Sequence, residues 1–322
     1  MKKALITGIN GQDGSYLAEF LLEKDYEVYG ILKRNSVAET QTTRIEHIRD
    51  KINLSYGDIT DLSSLIYNIK EAQPDELYHL AAQSHVRISF DQPIYTAQAT
   101  GLSTVNILEA VRLIKPDIKV YQASSSEMFG NSIEADGFQR ETTSMNPVSP
   151  YGCAKVFSYH LARNYRNAYK LFVSNGILFN HESPRRGTNF VTNKVCKEAV
   201  KIKLGIIDKL ELGNLSATRD WGHAKDYVKA MWMILQMEKP DDFVCATGIS
   251  HSVQDLVEYV FGRLNLDWEK YVSVNPRYLR PEELHNLKGD CTKLTNATGW
   301  KPEYTFETML DEMTDYWLFE LN

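Results

Sequence analysis

The strongest indication of a fold lies near the start of the chain. Lys3-Ala4-Leu5-Ile6-Thr7 is a short apolar run suited to a buried strand, and Gly8-Ile9-Asn10-Gly11-Gln12-Asp13-Gly14 follows at once. A helical spacing, Tyr16, Leu17, Phe20 and Leu21, begins directly after it. Strand, glycine turn and helix in that order predict the first βαβ unit of a parallel sheet. Glycines there let the backbone approach a pyrophosphate, while the helix N-terminus offers N–H donors and partial positive charge. The spacing is G-x-x-G-x-x-G rather than G-x-G-x-x-G, so a bare glycine turn is the competing use.

The alternation continues along the first half. A second strand, 27–32, ends in Lys33-Arg34-Asn35-Ser36 instead of the acid that would grip a ribose 2′-hydroxyl. Cations there suit a 2′-phosphate and favour NADP over NAD, with two solvated charges as the alternative. A third strand, 52–56, stops at Gly57-Asp58-Ile59, where Asp58 could accept from an adenine amino group; Asp61 just beyond is the candidate helix cap. The fourth strand, 77–82, leads into Gln83-Ser84-His85-Val86, and His85 could touch a ligand or be structural. The fifth, 119–123, delivers Ser125 and Glu127 at its carboxyl end, where open α/β sheets hold their ligands.

Ser149-Pro150-Tyr151-Gly152-Cys153-Ala154-Lys155 then reads as a helix start. Tyr151 and Lys155 are four residues apart and share a helical face, so their polar ends can converge on one ligand. A cation beside a phenol lowers its pKa, which predicts Tyr151 as a general base; chance spacing on an amphipathic helix is the alternative. After a sixth strand, 172–178, the pattern loosens into what reads as a smaller domain interleaved with the last sheet strands. Lys194, Arg219, Arg277 and Arg280 are scattered there singly, suited equally to phosphate contacts and to surface ion pairs.

Composition excludes several classes. The 322 residues are 43% hydrophobic with a formal net charge of −6, and Lys and Arg are spread out, which argues against nucleic acid as a partner. No apolar run reaches the roughly eighteen residues of a membrane helix, so a protein neither secreted nor inserted is expected. Cys153, Cys196, Cys245 and Cys291 lie far apart without C-x-x-C, which argues against a disulfide framework or a metal site and for a cytoplasmic location.

These motifs, in this order, resemble the extended short-chain dehydrogenase/reductase superfamily. Within it, residues 8–24, 122–130, 175–187 and 219–228 are similar to the GDP-mannose 4,6-dehydratase family, with coverage over nearly the whole chain. The resemblance implies an α/β fold: a Rossmann-type doubly wound parallel sheet over residues 1–178, to which later segments return, and a smaller C-terminal α/β domain, mainly binding the GDP-sugar, over 179–322. It places cofactor contacts on Gly8, Ile9, Asn10, Gly11, Gln12, Asp13, Asp58, Ile59, Leu80, Ala81, Ala82, Gln83, Ser84, Tyr95, Lys155, His181 and Arg186, with Arg34 added by the cation argument above. The active-site hydroxyl, base and tyrosine fall on Ser125, Glu127 and Tyr151. Ser84, Asn180, Lys194, Arg219, Arg277 and Glu283 are expected along GDP-mannose.

The implied reaction is oxidation at C4, loss of water across C5 and C6, and reduction at C6, with NADP ending as it began. Glu127 separates this from a 4-epimerase or 4-keto-reductase, which has no elimination to catalyse. Ser125 stands where the family usually has threonine, which leaves room near the sugar and keeps a GDP-manno-heptose 4,6-dehydratase as an alternative. Lys33 stands for an arginine, and the 260–276 stretch is short for the family. A non-catalytic NADP-sensing protein is disfavoured by the presence of all four catalytic candidates. Residues 33–43 resemble a segment that reaches a neighbouring subunit, so a homotetramer, or at least a homodimer, is expected.

Overall fold

The computed structural model describes residues 1–36, 42–279 and 281–322. Its strands are β1 (Lys3–Thr7), β2 (Glu27–Leu32), β3 (Asn53–Tyr56), β4 (Glu76–His79), β5 (Lys119–Ser125), β6 (Val173–Leu178), β7 (Asn180–Glu182), β8 (Leu210–Leu212), β9 (Thr218–His223), β10 (Asp242–Cys245), β11 (Ser250–Ser252) and β12 (Val272–Val274). Seven form one sheet in the order β10-β6-β5-β4-β1-β2-β3, every pair parallel. Chain order reverses between β1 and β4. At such a switch point the connections leave in opposite directions and open a crevice over the strands' carboxyl ends.

Among the described residues, the helices around the sheet and its crevice include α1 (Gln12–Leu22), α2 (Leu62–Ala72), α3 (Val86–Asp91), α4 (Pro93–Thr96), α5 (Ser103–Ile114), α6 (Pro150–Tyr169), α7 (Val191–Lys203), α8 (Ala224–Gln236) and α9 (Val253–Arg263). The period-two alternation of β1 explains the layering. Ala4 and Ile6 pack with Leu17 and Leu21 of α1 and Met231 of α8, while Leu5 packs on the other face with Leu65 of α2, Leu108 of α5 and Ala162 of α6. Both faces are covered, as a parallel sheet requires.

The remaining elements make a smaller α/β body. Two short sheets, β11-β9-β7 and β8-β12, pack with α7, α9 and the C-terminal helix Phe306–Leu321 around Trp221, Leu256, Phe261 and Leu310. The chain re-enters the central sheet through α8 and β10. The architecture is therefore the expected doubly wound α/β fold with a smaller α/β partner. β5 runs two residues past its apolar stretch, so that Ser125 is its last residue. A π-helical segment, Ala97–Leu102, precedes α5. Among the described residues no helix is long and apolar enough to cross a membrane.

Candidate active site

A cleft of about 1000 Å³ lies over the carboxyl ends of the central strands and runs on between the two bodies. Its floor is the turn after β1. Gly8 has φ +74°, and a Cβ there would stand 3.0 Å from the Ala81 nitrogen; a Cβ on Gly14 would stand 2.2 Å from the Gly8 carbonyl oxygen. The turn is thus drawn tightly under the start of α1, whose N-cap, Gly11, supplies no side-chain cap. Helix N–H groups left open beside a bare glycine backbone fit a dinucleotide pyrophosphate. Behind the turn, the Thr7 hydroxyl accepts from the Leu80 and Ala81 N–H groups at 3.2 Å each and donates to His79 Nδ1 at 2.9 Å. That leaves His79 Nε2 to donate to Ser103 Oγ at 3.2 Å, and Ser103 to donate to the Ala99 carbonyl. Burial holds His79 neutral, its pKa pulled down to about 3.

Gly8, Asn10, Gly11, Gln12, Asp13, Asp58, Ile59, Leu80, Ala81, Ala82, Ser84 and Tyr95 all line the cleft. Three residues expected there lie outside its lining. Ile9 is fully buried and points into the core against Gly30. Gln83 braces its own loop: its Nε2 donates to Thr96 Oγ1 at 3.0 Å and its Oε1 accepts from the His85 N–H at 2.6 Å. Arg34 is exposed beyond the end of β2. Lys33 lines the wall instead, its Nζ 3.1 Å from Asp58 Oδ2. Asp58 also accepts from Thr60, while Asp61 caps α2 through the Ser63 N–H at 2.9 Å. His85 caps α3, accepting from the Ile88 N–H at 3.3 Å, and lines the cleft.

His181 and Asp13 clasp the two bodies. His181 Nδ1 lies 2.7 Å from the Phe179 carbonyl oxygen and Nε2 lies 2.8 Å from Asp13 Oδ2. Both neighbours are pure acceptors, so both ring nitrogens donate and the imidazole is a cation. Burial alone would lower the His181 pKa, but the Asp13 carboxylate outweighs it and raises the value above 6.5. Burial likewise opposes ionisation of Asp13, and His181, Gln12 and Arg186 together hold its pKa below 3.8. A raised histidine contributes stability that is complete below pH 6.5 and disappears as pH rises through the raised value. Thermal melting against pH should show wild type losing stability on that alkaline limb and His181→Gln lacking the limb; parallel curves would contradict the charged pair.

Ser125, Glu127, Tyr151 and Lys155 all line the cleft, carried by the end of β5, the turn after it and the start of α6. The Ser125 hydroxyl accepts from the Glu127 N–H at 3.2 Å, starting the short turn Ser126–Met128 that carries Glu127. Ser149 caps α6 by accepting from the Gly152 N–H at 3.0 Å, with Pro150 as the first helical residue. Gly152 lets α6 dock on the Glu127 turn, since a Cβ there would stand 2.8 Å from the Glu127 carbonyl oxygen. The electrostatics differ from the expectation for the Tyr151–Lys155 pair. Burial pushes the Tyr151 phenol up to about 12; a hydrogen bond with Ser125 works against this and the Glu127 carboxylate adds to it. Burial pulls Lys155 down to about 8, and its Nζ donates to the Ala123 carbonyl at 2.6 Å, 5.8 Å from the Tyr151 ring centre. A weakened cation at that distance does not overcome the desolvation of the phenol.

The wall from the smaller body carries Asn180, Lys194, Arg219, Arg277 and Glu283, with Arg186 beside them. Arg219 is 6% exposed and sits 3.7 Å from Glu283, and Arg186 pairs with buried Glu182 at 3.0 Å. Lys194 donates to the Glu211 carbonyl at 2.6 Å and lies 3.9 Å over the Tyr278 ring. Arg280 lies outside the described residues.

Residues 5–313 match the family model described as GDP-mannose 4,6 dehydratase. The chain is 51% identical to GDP-mannose 4,6 dehydratase 2 of Arabidopsis thaliana, covering 98% of this chain and 86% of that protein. It is 49% identical to the GDP-mannose 4,6 dehydratase of Homo sapiens, covering 96% and 90%. The chain belongs to the GDP-mannose 4,6-dehydratase family. A UDP-glucose 4-epimerase from Thermotoga maritima, solved with UDP-glucose, shares the fold at a TM-score of 0.87 and 21% identity over 99% of this chain and all of that one. For a member of the GDP-mannose 4,6-dehydratase family this means that the scaffold is common to several chemistries, so the chemistry must be argued from side chains. Sequence reasoning missed Thr7, His79 and Glu198 in or under the cleft. Glu198 was within reach: it follows Lys194 by one helical turn on the face of α7 that lines the cleft.

Proposed function

We propose that the protein is an NADP-dependent hydro-lyase that converts GDP-mannose to GDP-4-keto-6-deoxymannose and water. The observation that carries this reading is the placement of Glu127. It is a carboxyl group buried to 6% exposure at the end of β5, close enough to Tyr151 to raise the phenol's pKa, in the same cleft as the dinucleotide cradle. An oxidation alone needs Tyr151, Ser125 and Lys155; elimination needs a further group that can take a proton and give it back.

In this mechanism Tyr151 removes the proton of the sugar C4 hydroxyl, and Ser125 holds the same oxygen by a hydrogen bond. The turn over residues 8–14, Asp58 and Lys155 would hold NADP, which would supply a positive charge that favours the phenolate and a reversible acceptor for the hydride that leaves C4 and arrives at C6. The C4 ketone acidifies the C5 proton, which Glu127 removes and then delivers to the departing C6 hydroxyl, releasing water. The proton held by Tyr151 balances the one that returns to C5. Lys155 anchors the strand end through the Ala123 carbonyl and contributes charge beside the phenol. Arg219 and Arg277 suit the diphosphate, and Asn180 and Ser84 suit the sugar.

Lys33 and Arg34 support NADP over NAD, with Lys33 at the wall and Arg34 beyond it. The division near residue 178, a cytoplasmic location and a homotetramer belong to the same reading. The segment proposed to reach a neighbour, 33–43, includes residues 37–41, which lie outside the described residues. Incubation of the purified protein with GDP-mannose and NADP should yield a GDP-sugar lighter by one water and bearing a C6 methyl. In direct competition, GDP-mannose should be consumed ahead of GDP-manno-heptose; a large preference for the heptose would move the assignment to the roomier substrate that Ser125 permits.

A further inference from the structure

Val191, Lys194 and Glu198 of α7 all line the cleft. Their spacing of three and four residues turns one helical face toward it. Nearby lining comes from Leu212, Gly213, Ala217 and Val253, an apolar and small-residue surface suited to a flat ring. Gly213 is closed over by the turn Pro276–Tyr278, since a Cβ there would meet the Tyr278 carbonyl oxygen at 2.8 Å.

The charges on this face are arranged unusually. Lys194 and Glu198 are of opposite sign and one turn apart, yet they do not pair. Lys194 instead donates to the Glu211 carbonyl and covers the Tyr278 ring. Other carboxylates of the cleft are engaged: Asp13 with His181, Asp58 with Lys33, Asp91 with Arg87 and Glu283 with Arg219. Glu198 makes no hydrogen bond or ion pair among the described residues, although it is partly buried. A half-buried carboxylate gains most from donors that a ligand brings to it.

We infer that Glu198, with Lys194 one turn before it, reads the guanine base of the nucleotide sugar. This rests on the GDP-sugar reading given above. Guanine presents two adjacent donors, N1–H and the N2 amine, beside the O6 acceptor. A carboxylate accepts two parallel N–H bonds, and an ammonium donates to a carbonyl oxygen, so Glu198 and Lys194 match that edge in order. Adenine offers one donor beside an acceptor. Uracil offers one N–H between two carbonyl oxygens, which a carboxylate repels.

The test is calorimetric titration of the NADP-loaded enzyme with GDP, IDP and ADP, for wild type and Glu198→Gln. IDP lacks only the N2 amine. Wild type should bind GDP about tenfold or more tighter than IDP, and ADP more weakly still, because a site built for a donor is left unpaired by an analogue without it. Glu198→Gln should bring GDP to within about threefold of IDP while leaving IDP affinity nearly unchanged. An unchanged GDP-to-IDP ratio in the variant, or an equal loss for both nucleotides, overturns the assignment of Glu198. Wild type that binds GDP and IDP alike overturns it too and leaves the GDP-sugar reading standing, whereas wild type that binds none of the three removes both.

Discussion

Glu127→Gln is expected to lower formation of the 6-deoxy product by on the order of 10³-fold or more, since one group serves as both base and acid and each role is worth roughly 10² to 10⁴. Glutamine has nearly the same shape, so the turn Ser126–Met128 and its N–H bond to Ser125 should survive. Dinucleotide binding and melting temperature should therefore stay near those of wild type. The sugar C5 proton should also cease to exchange with solvent deuterium, a readout that a merely structural role would not move. Full turnover in the variant would remove Glu127 from the mechanism and return the 4-epimerase and 4-keto-reductase readings, for which this carboxylate has no task.

The second large effect is structural. Gly14→Ala places a Cβ 2.2 Å from the Gly8 carbonyl oxygen and 2.6 Å from the Ile9 Cα, and backbone on both sides leaves no flexible side chain to give way. The turn and the start of α1 must separate. We expect a loss of about 3 kcal/mol, the upper range for overpacking, together with loss of dinucleotide binding. Gly262→Ala is the matched control. A Cβ on Gly262 in α9 meets nothing within 4 Å, and the same change there should be neutral or stabilising by up to about 1 kcal/mol, as for other exposed helix glycines. Denaturant unfolding of both variants and dinucleotide titration check the contrast. Equal behaviour at the two sites would mean that close backbone approach under α1 does not shape the cradle.

What the sequence showed and what it hid follow from range. β1 was legible because a strand buried on both faces reads as an apolar run, here Ala4-Leu5-Ile6, bounded by polar residues and followed by glycine. β7, β11 and β12 were not, since three residues such as Asn180-His181-Glu182 carry no period and pair only through tertiary contact. The convergence of Ser125, Glu127, Tyr151 and Lys155 could be expected from a strand end and a proline-started helix. The direction in which the Tyr151 phenol shifts could not, because it depends on burial and on how near the Glu127 carboxylate comes. Arg34 shows the same limit: its position after β2 suggested the cleft, but it is exposed and outside the cleft lining, while Lys33 lines the wall and pairs with Asp58. Gln83 was expected at the ligand and instead braces the loop that presents Ser84 and His85, a task set by Thr96 from α4.

An internal oxidation and reduction is central to this reading, with hydrogen leaving one sugar carbon and arriving at another within the cleft. GDP-mannose carrying deuterium at C4, turned over by the NADP-loaded enzyme in ordinary water, addresses that directly. The deuterium should be found on the C6 methyl of the product, with none at C4. Product with an unlabelled methyl, its deuterium retained at C4 or lost to solvent, would contradict the account.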